Sequence, residues 1–234
     1  MSDSAEPRTI IICLPTDRGS DYTTAVQAVT GRISGPITLT ARFPVRHGRM
    51  TGLVTRWSSR HLLGAQRHHG TVRRAAGGRM SRLHLQKAGQ LAWYEATTRW
   101  AVWRQVTTGL RQASPWEQFL RRHDTEPDKL PLPQAHRQFL AQPMISAMLA
   151  YNANPASRWQ LDPYEIDGYF AGAAAYATRH MLAASCGDAM LTADGRWLQP
   201  AGTSFADVCA YLKKAASYLN QLNRTATVLA LTNQ

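Results

Sequence analysis

The sequence predicts an α+β protein, mostly α, with a small N-terminal α/β unit followed by a helical bundle. Three observations predict it. Short β-branched or alternating runs lie within residues 1–58, and apolar residues recur at helical spacing through most of 83–223. Between them runs a Gly- and Arg-rich stretch with little sustained periodicity. The expected divisions are therefore 1–58 as the α/β unit, 59–82 as a basic flexible arm or loop, and 83–234 as the helical body. A Pro-rich, acidic stretch at 124–133 is a candidate sub-boundary within that body.

Each element has its own signal. Residues 8–14, RTIIICL, form a continuous apolar run stopped by Pro15, which suits a buried strand. Turn chemistry at 16–21 leads into a short helix, with Tyr22, Val26 and Val29 at helical spacing and Gly31 as its stop. Residues 37–43 and 51–58 read as half-buried strands joined by a basic turn. Residues 83–113 carry the clearest helical stripe, from Leu85 through Ala96 to Leu110. Ser114-Pro115-Trp116-Glu117 is a capped restart, and Pro143 breaks or kinks the helical segment that begins at Gln134. Asp162-Pro163-Tyr164-Glu165 opens another helix, stopped by Gly187. A tight turn at Ala193-Asp194-Gly195-Arg196 follows, then a helix capped by Thr203 or Ser204. Residues 225–231, TATVLAL, close the chain as a strand or a helix tail.

The strand–helix–strand–strand order at the front is similar, at the level of fold alone, to the ferredoxin-like RNA-binding modules of CRISPR RNA-processing proteins. Their glycine-rich loop is not found in this sequence. A ferredoxin-like arrangement is what that similarity implies for the front unit.

Charge points to the partner. From Tyr22 to Tyr94, 73 residues pass without an Asp or Glu, yet this span holds 11 Arg, one Lys and five His. Those 12 fixed positive charges match the formal net charge of the whole chain, +12. Such a local field attracts polyanions, and nucleic acid is the commonest of them. Arginine supplies 23 of the 27 basic residues, and its planar fork grips phosphate bidentately and stacks on bases. The residues expected to hold nucleic acid are Arg42, Arg46, Arg49, Arg56, Trp57, Arg60, Arg67, Arg73, Arg74, Arg79, Arg82 and Lys87. RNA or single-stranded DNA is favoured, because Phe43, Trp57, Trp93 and Tyr94 lie beside basic residues and bases stack on aromatic rings.

The function expected is a non-catalytic, nucleic-acid-binding subunit of a nucleoprotein complex, with other protein subunits as partners. One alternative is a metal-independent endoribonuclease using His47, His61, His68 or His69, with arginine stabilising the phosphorane charge. Another is a scaffold whose basic segment docks on an acidic protein. No phosphate-binding P-loop, dinucleotide fingerprint, nucleophile elbow or zinc-protease motif occurs. Neither a cofactor nor a metal is expected: the histidines stand among guanidinium groups, which oppose a cation. Cys13, Cys186 and Cys209 lack metal-ligand spacing and read as reduced thiols of a cytoplasmic protein. No stretch is apolar enough to span a bilayer, so no membrane partner is expected.

Overall fold

The Ile-rich run at the front forms β1 (Arg8–Leu14), and it lies inside a sheet with a strand on each side. The computed structural model describes residues 8–15, 27, 36–46 and 62–233. The expected strand at 51–58 lies outside these residues, as does the expected helix at 22–31 apart from Gln27, which is helical. The other strands are β2 (Ile37–Leu39), β3 (Phe43–Pro44), β4 (Leu62–Leu63), β5 (Gln66–His68), β6 (Thr71–Ala75), β7 (Gly77–Arg79), β8 (Ala189–Leu191), β9 (Trp197–Leu198) and β10 (Thr227–Asn233). The helices are α1 (Leu85–Thr107), α2 (Trp116–Thr125), α3 (Leu132–Leu140), α4 (Pro143–Ala153), α5 (Ile166–Phe170), α6 (Ala173–Cys186) and α7 (Phe205–Gln221). The protein is α+β and mostly α.

Two compact units arise, and neither is contiguous in sequence. The first draws on described residues within Met1–Ala92, His180–Ala201 and Val208–Gln234. The second comprises Trp93–Arg179 and Gly202–Asp207. The contiguous division expected from composition differs because the closing strand returns to the opening one: β10 pairs with β1 antiparallel from Arg8↔Asn233 to Leu14↔Thr227. Residues 124–133 do not separate units, since both flanking helices belong to the second.

The first unit is built on a sheet ordered β4-β7-β10-β1-β8-β9, with β2 also pairing β10. Strand β8 lies directly beside β1 and parallel to it, where a ferredoxin-like split βαβ would place a strand between them. Alternation sends Ile11 and Cys13 to one face, against Tyr211, Leu212, Ala215 and Leu219 of α7, while Ile10, Ile12 and Leu14 join Leu229 and Leu231 on the other. A strand covered on both faces reads as an unbroken apolar run, which is why β1 is evident from sequence. Each such buried Ile or Leu contributes about 2 kcal/mol of hydrophobic stabilisation. Gly77 in β7 allows the close approach to β10: a Cβ there would collide with the Val228 carbonyl oxygen and meet the Leu229 Cα at 2.8 Å.

The second unit is a helical body around Trp103, Phe119, Phe139, Met148, Tyr169 and Tyr176. Trp103 stacks on Tyr169 with centroids 5.0 Å apart, and the Trp100 indole N–H donates to the Tyr169 carbonyl at 2.9 Å. Some local expectations shift. Ser114 does not cap α2 through its side chain; its N–H and C=O are instead met by the Gln142 amide at 2.7 and 3.0 Å. Asp162 does accept from the Tyr164 N–H, but the predicted long helix breaks before α6 at Gly172, whose φ of +93° no helix accommodates.

Candidate nucleic-acid interface

The stretch expected to be an irregular arm is folded over its described part. Strands β5 and β6 form a hairpin closed by His69 and Gly70, whose φ values of 48° and 76° are both left-handed. Such a two-residue turn matches the natural twist of paired strands. Register runs His68↔Thr71 and Arg67↔Val72, then jumps to Gln66↔Arg74, so Arg73 is a bulged residue without a cross-strand partner. The hairpin is held against the core by Val72, one pair from the turn, and by Ala75, and β6 pairs with β3 at Phe43↔Ala75 and Pro44↔Arg74. The chain beyond β3 extends the assembly. Val45 N–H donates to the Arg73 carbonyl at 3.2 Å, and Arg46 N–H to the Arg82 carbonyl at 2.8 Å.

This ladder gathers basic side chains that sequence alone leaves strung along the chain. Arg46, Arg67, Arg73, Arg74 and Lys87 are exposed, while Arg79 and Arg82 are half-buried. Among the described residues none of the seven pairs with a carboxylate; the ion pairs found are Lys129–Glu126, Arg179–Glu165 and Arg196–Asp194. The Arg46 Nε is held by the Leu83 carbonyl at 2.9 Å. Beside it, His84 accepts the Lys87 backbone N–H on Nδ1 at 3.3 Å. Burial lowers the His84 pKa, and the charges of Arg46 and Lys87 lower it further, favouring the neutral ring. The chemistry available is that of a carboxylate-free cationic surface on a rigid β scaffold, suited to phosphate oxygens.

Arg42 is placed elsewhere. Its Nε and Nη2 donate to the Ala184 and Ala183 carbonyls at 2.8 and 2.7 Å, and Nη1 to the Thr9 hydroxyl at 3.1 Å. It thus closes the C-terminal end of α6, where a cation complements the helix dipole. Burial lowers its pKa, opposed by the nearby Asp188 carboxylate. Its guanidinium is therefore taken up by the fold rather than presented to a ligand.

Arg49, Arg56, Trp57, Arg60, His47 and His61 lie outside the described residues. His68 and His69 sit exposed at the hairpin turn, ring centroids 4.2 Å apart and edge-on. Phe43 is fully buried and offers no stacking surface. Trp93 and Tyr94 are 43% and 68% exposed but belong to the second unit. Gln66, opposite Arg74, and His84 join the surface without having been expected there. The sequence signal for the first was the His-Gly pair between two short runs, a hairpin turn rather than loop filler.

No group of three or more His, Cys, Asp or Glu is arranged to hold a metal ion among the described residues. No described helix is long and apolar enough to cross a membrane. No family model matches the chain, and comparison with curated proteins and with solved structures finds no match.

Proposed function

We propose that this chain is a nucleic-acid-binding protein that holds the phosphate backbone on β5, β6, the chain around Arg46 and the start of α1. The observation that carries this reading is the strand pairing that brings Arg46, Arg73, Arg74 and Arg82 to neighbouring backbone positions, none of them with a carboxylate partner among the described residues. Clustered cations without internal counter-ions bind polyanions by releasing condensed counterions, with affinity that falls steeply with salt. The role is non-catalytic, as one subunit of a nucleoprotein complex. A cytoplasmic setting accords with Cys13 and Cys186 being buried thiols, which burial pushes up to about 12 and about 11.

Fluorescence anisotropy with labelled nucleic acid tests the proposal. Affinity is expected to drop by about 10³ between low and moderate salt. Reversing Arg67, Arg73 and Arg74 to Glu should abolish binding while circular dichroism stays unchanged. Unaltered affinity in that folded variant sinks the assignment.

A further inference from the structure

We propose, resting on the nucleic-acid reading above, that His84, Arg46 and Lys87 form a seat for one backbone phosphate and that the imidazole takes up a proton as nucleic acid binds. Binding therefore strengthens as pH falls, a linkage that arginine alone cannot supply because its charge does not titrate.

The backbone brings the three residues together. Val45 and Leu83 bridge antiparallel, and both side chains are buried in the core. Two hydrogen bonds flank that bridge: His84 N–H donates to the Pro44 carbonyl at 2.7 Å and Arg46 N–H to the Arg82 carbonyl at 2.8 Å. Arg46 and His84 each stand one step beyond a core residue, so alternation sends them to the face away from the core. Leu85, the next step, packs inward again. The Arg46 Nε donates to the Leu83 carbonyl at 2.9 Å, which lays its guanidinium along the segment leading into His84. Lys87 lies in the first turn of α1, its backbone N–H donating to His84 Nδ1 at 3.3 Å.

The charges that face the ring are both positive. Burial lowers the His84 pKa first, and Arg46 from the neighbouring strand and Lys87 from α1 lower it further. No carboxylate acts on it among the described residues. Arg82, opposite Arg46, and Arg74, opposite Pro44, are the other cations at neighbouring backbone positions. The first turn of α1 carries no acid, so the positive end of its dipole is unmatched as well. In the free protein the ring is accordingly neutral, with Nδ1 occupied as an acceptor and its proton on Nε2.

A phosphate inverts this balance. Its negative charge offsets the cations that keep the ring neutral and favours imidazolium. The proton comes from solvent and goes to Nδ1, which releases the Lys87 N–H; both ring nitrogens are then donors. The freed N–H is a further donor for a phosphate oxygen, beside the Arg46 guanidinium and the Lys87 ammonium. The imidazole thus supplies a charge that appears only when an anion is there to meet it.

Fluorescence anisotropy with an oligothymidylate and an oligouridylate, both lacking terminal phosphates, tests the linkage, since neither their bases nor their diesters titrate in the histidine range. At constant ionic strength the affinity is expected to rise about tenfold as pH falls from about 7.5 to about 5.5. His84→Asn keeps an acceptor for the Lys87 N–H and should lose that gain, with circular dichroism at both pH values as the folding control. Asn in place of His68 and His69, the histidines of the hairpin turn, should leave the gain intact. The imidazole Cε1–H resonance of His84 reports the same event directly, its titration midpoint moving up when the oligonucleotide is added. An equal pH response in His84→Asn, or a midpoint that nucleic acid does not raise, overturns the proton linkage while leaving the nucleic-acid reading in place. Failure to bind either polymer at either pH overturns both.

Discussion

Arg179 of the second unit and the hairpin arginines of the first live in opposite surroundings. In the second unit Arg179 pairs with Glu165, whose other carboxylate oxygen accepts the Tyr176 hydroxyl at 2.8 Å. In the first, Arg67, Arg73 and Arg74 face solvent with no carboxylate partner among the described residues. The contrast begins with supply. Residues 22–94 contain no Asp or Glu, so a guanidinium there finds no carboxylate in its own stretch of chain. Arg42 finds carbonyls at the end of α6 and becomes part of the fold. Among the described residues Arg67, Arg73 and Arg74 find no such partner and remain available. Charge that is internally balanced holds a unit together, and charge that is not balanced seeks a partner.

The largest way to break this contrast is to remove the scaffold that displays the unbalanced charge. Gly77→Ala drives a methyl group into the Val228 carbonyl, and backbone cannot step aside as a side chain would. Loss of β7–β10 pairing should cost about 3 kcal/mol or more, read as a fall in the denaturation midpoint. A midpoint unchanged within error would mean the strands do not approach as described. Next, Glu165→Gln removes the charge opposing Arg179 and should destabilise the protein by about 3 kcal/mol, since a partly buried cation is left without its anion. Nucleic-acid affinity of the folded fraction should not move.

A sharper comparison sets two arginines of the first unit against each other. Arg42→Ala strips partners from two helix-end carbonyls and should cost about 2 kcal/mol of stability, with binding by the folded protein retained. Arg74→Ala should do the reverse. Stability should hold within about 0.5 kcal/mol, while each lost phosphate contact lowers the salt slope by about one. Paired urea titrations and salt-dependent anisotropy distinguish them. If both variants lose binding equally at full stability, the division between structural and ligand-facing arginines is wrong.

That division was not legible in the sequence, where Arg42 and Arg74 have the same kind of neighbours. What separates them is contact with Ala183 and Ala184, far along the chain and invisible to local pattern. Strand β1 was legible because an Ile run ended by Pro15 has few alternatives, and the turn before β9 because Ala193-Asp194-Gly195-Arg196 carries its own chemistry. The pairing of β1 with β10 was not, since nothing within either segment names its partner. The hairpin reads as an arm or loop from sequence because strands of three to five residues, one of them bulged, show too little alternation to register as strands. The acid-free span itself needed no structure to be seen. The pairing that brings Arg46 beside Arg82 and Arg73 beside Val45 did.

The smallest expected effect concerns His84, where the lack of carboxylates acts on a titrating group. Burial and then the charges of Arg46 and Lys87 lower its pKa below the ordinary 6.5, so the folded state resists protonation. In the unfolded chain those influences are gone. As pH falls through about 6.5, the unfolded state takes up a proton that the folded state refuses, and stability declines; above that value both states are neutral and the contribution disappears. His84→Asn keeps an acceptor for the Lys87 N–H without the titration, so its stability should fall less steeply than wild type between pH 7 and 5 in urea denaturation. Other groups titrate alike in both proteins and cancel in the difference. Identical slopes would show that His84 does not face those cations. If the proposed nucleic-acid binding holds, adding nucleic acid should then narrow the gap between the two proteins, because a bound polyanion favours the protonated ring, a change expected only if His84 borders the place where the phosphates lie.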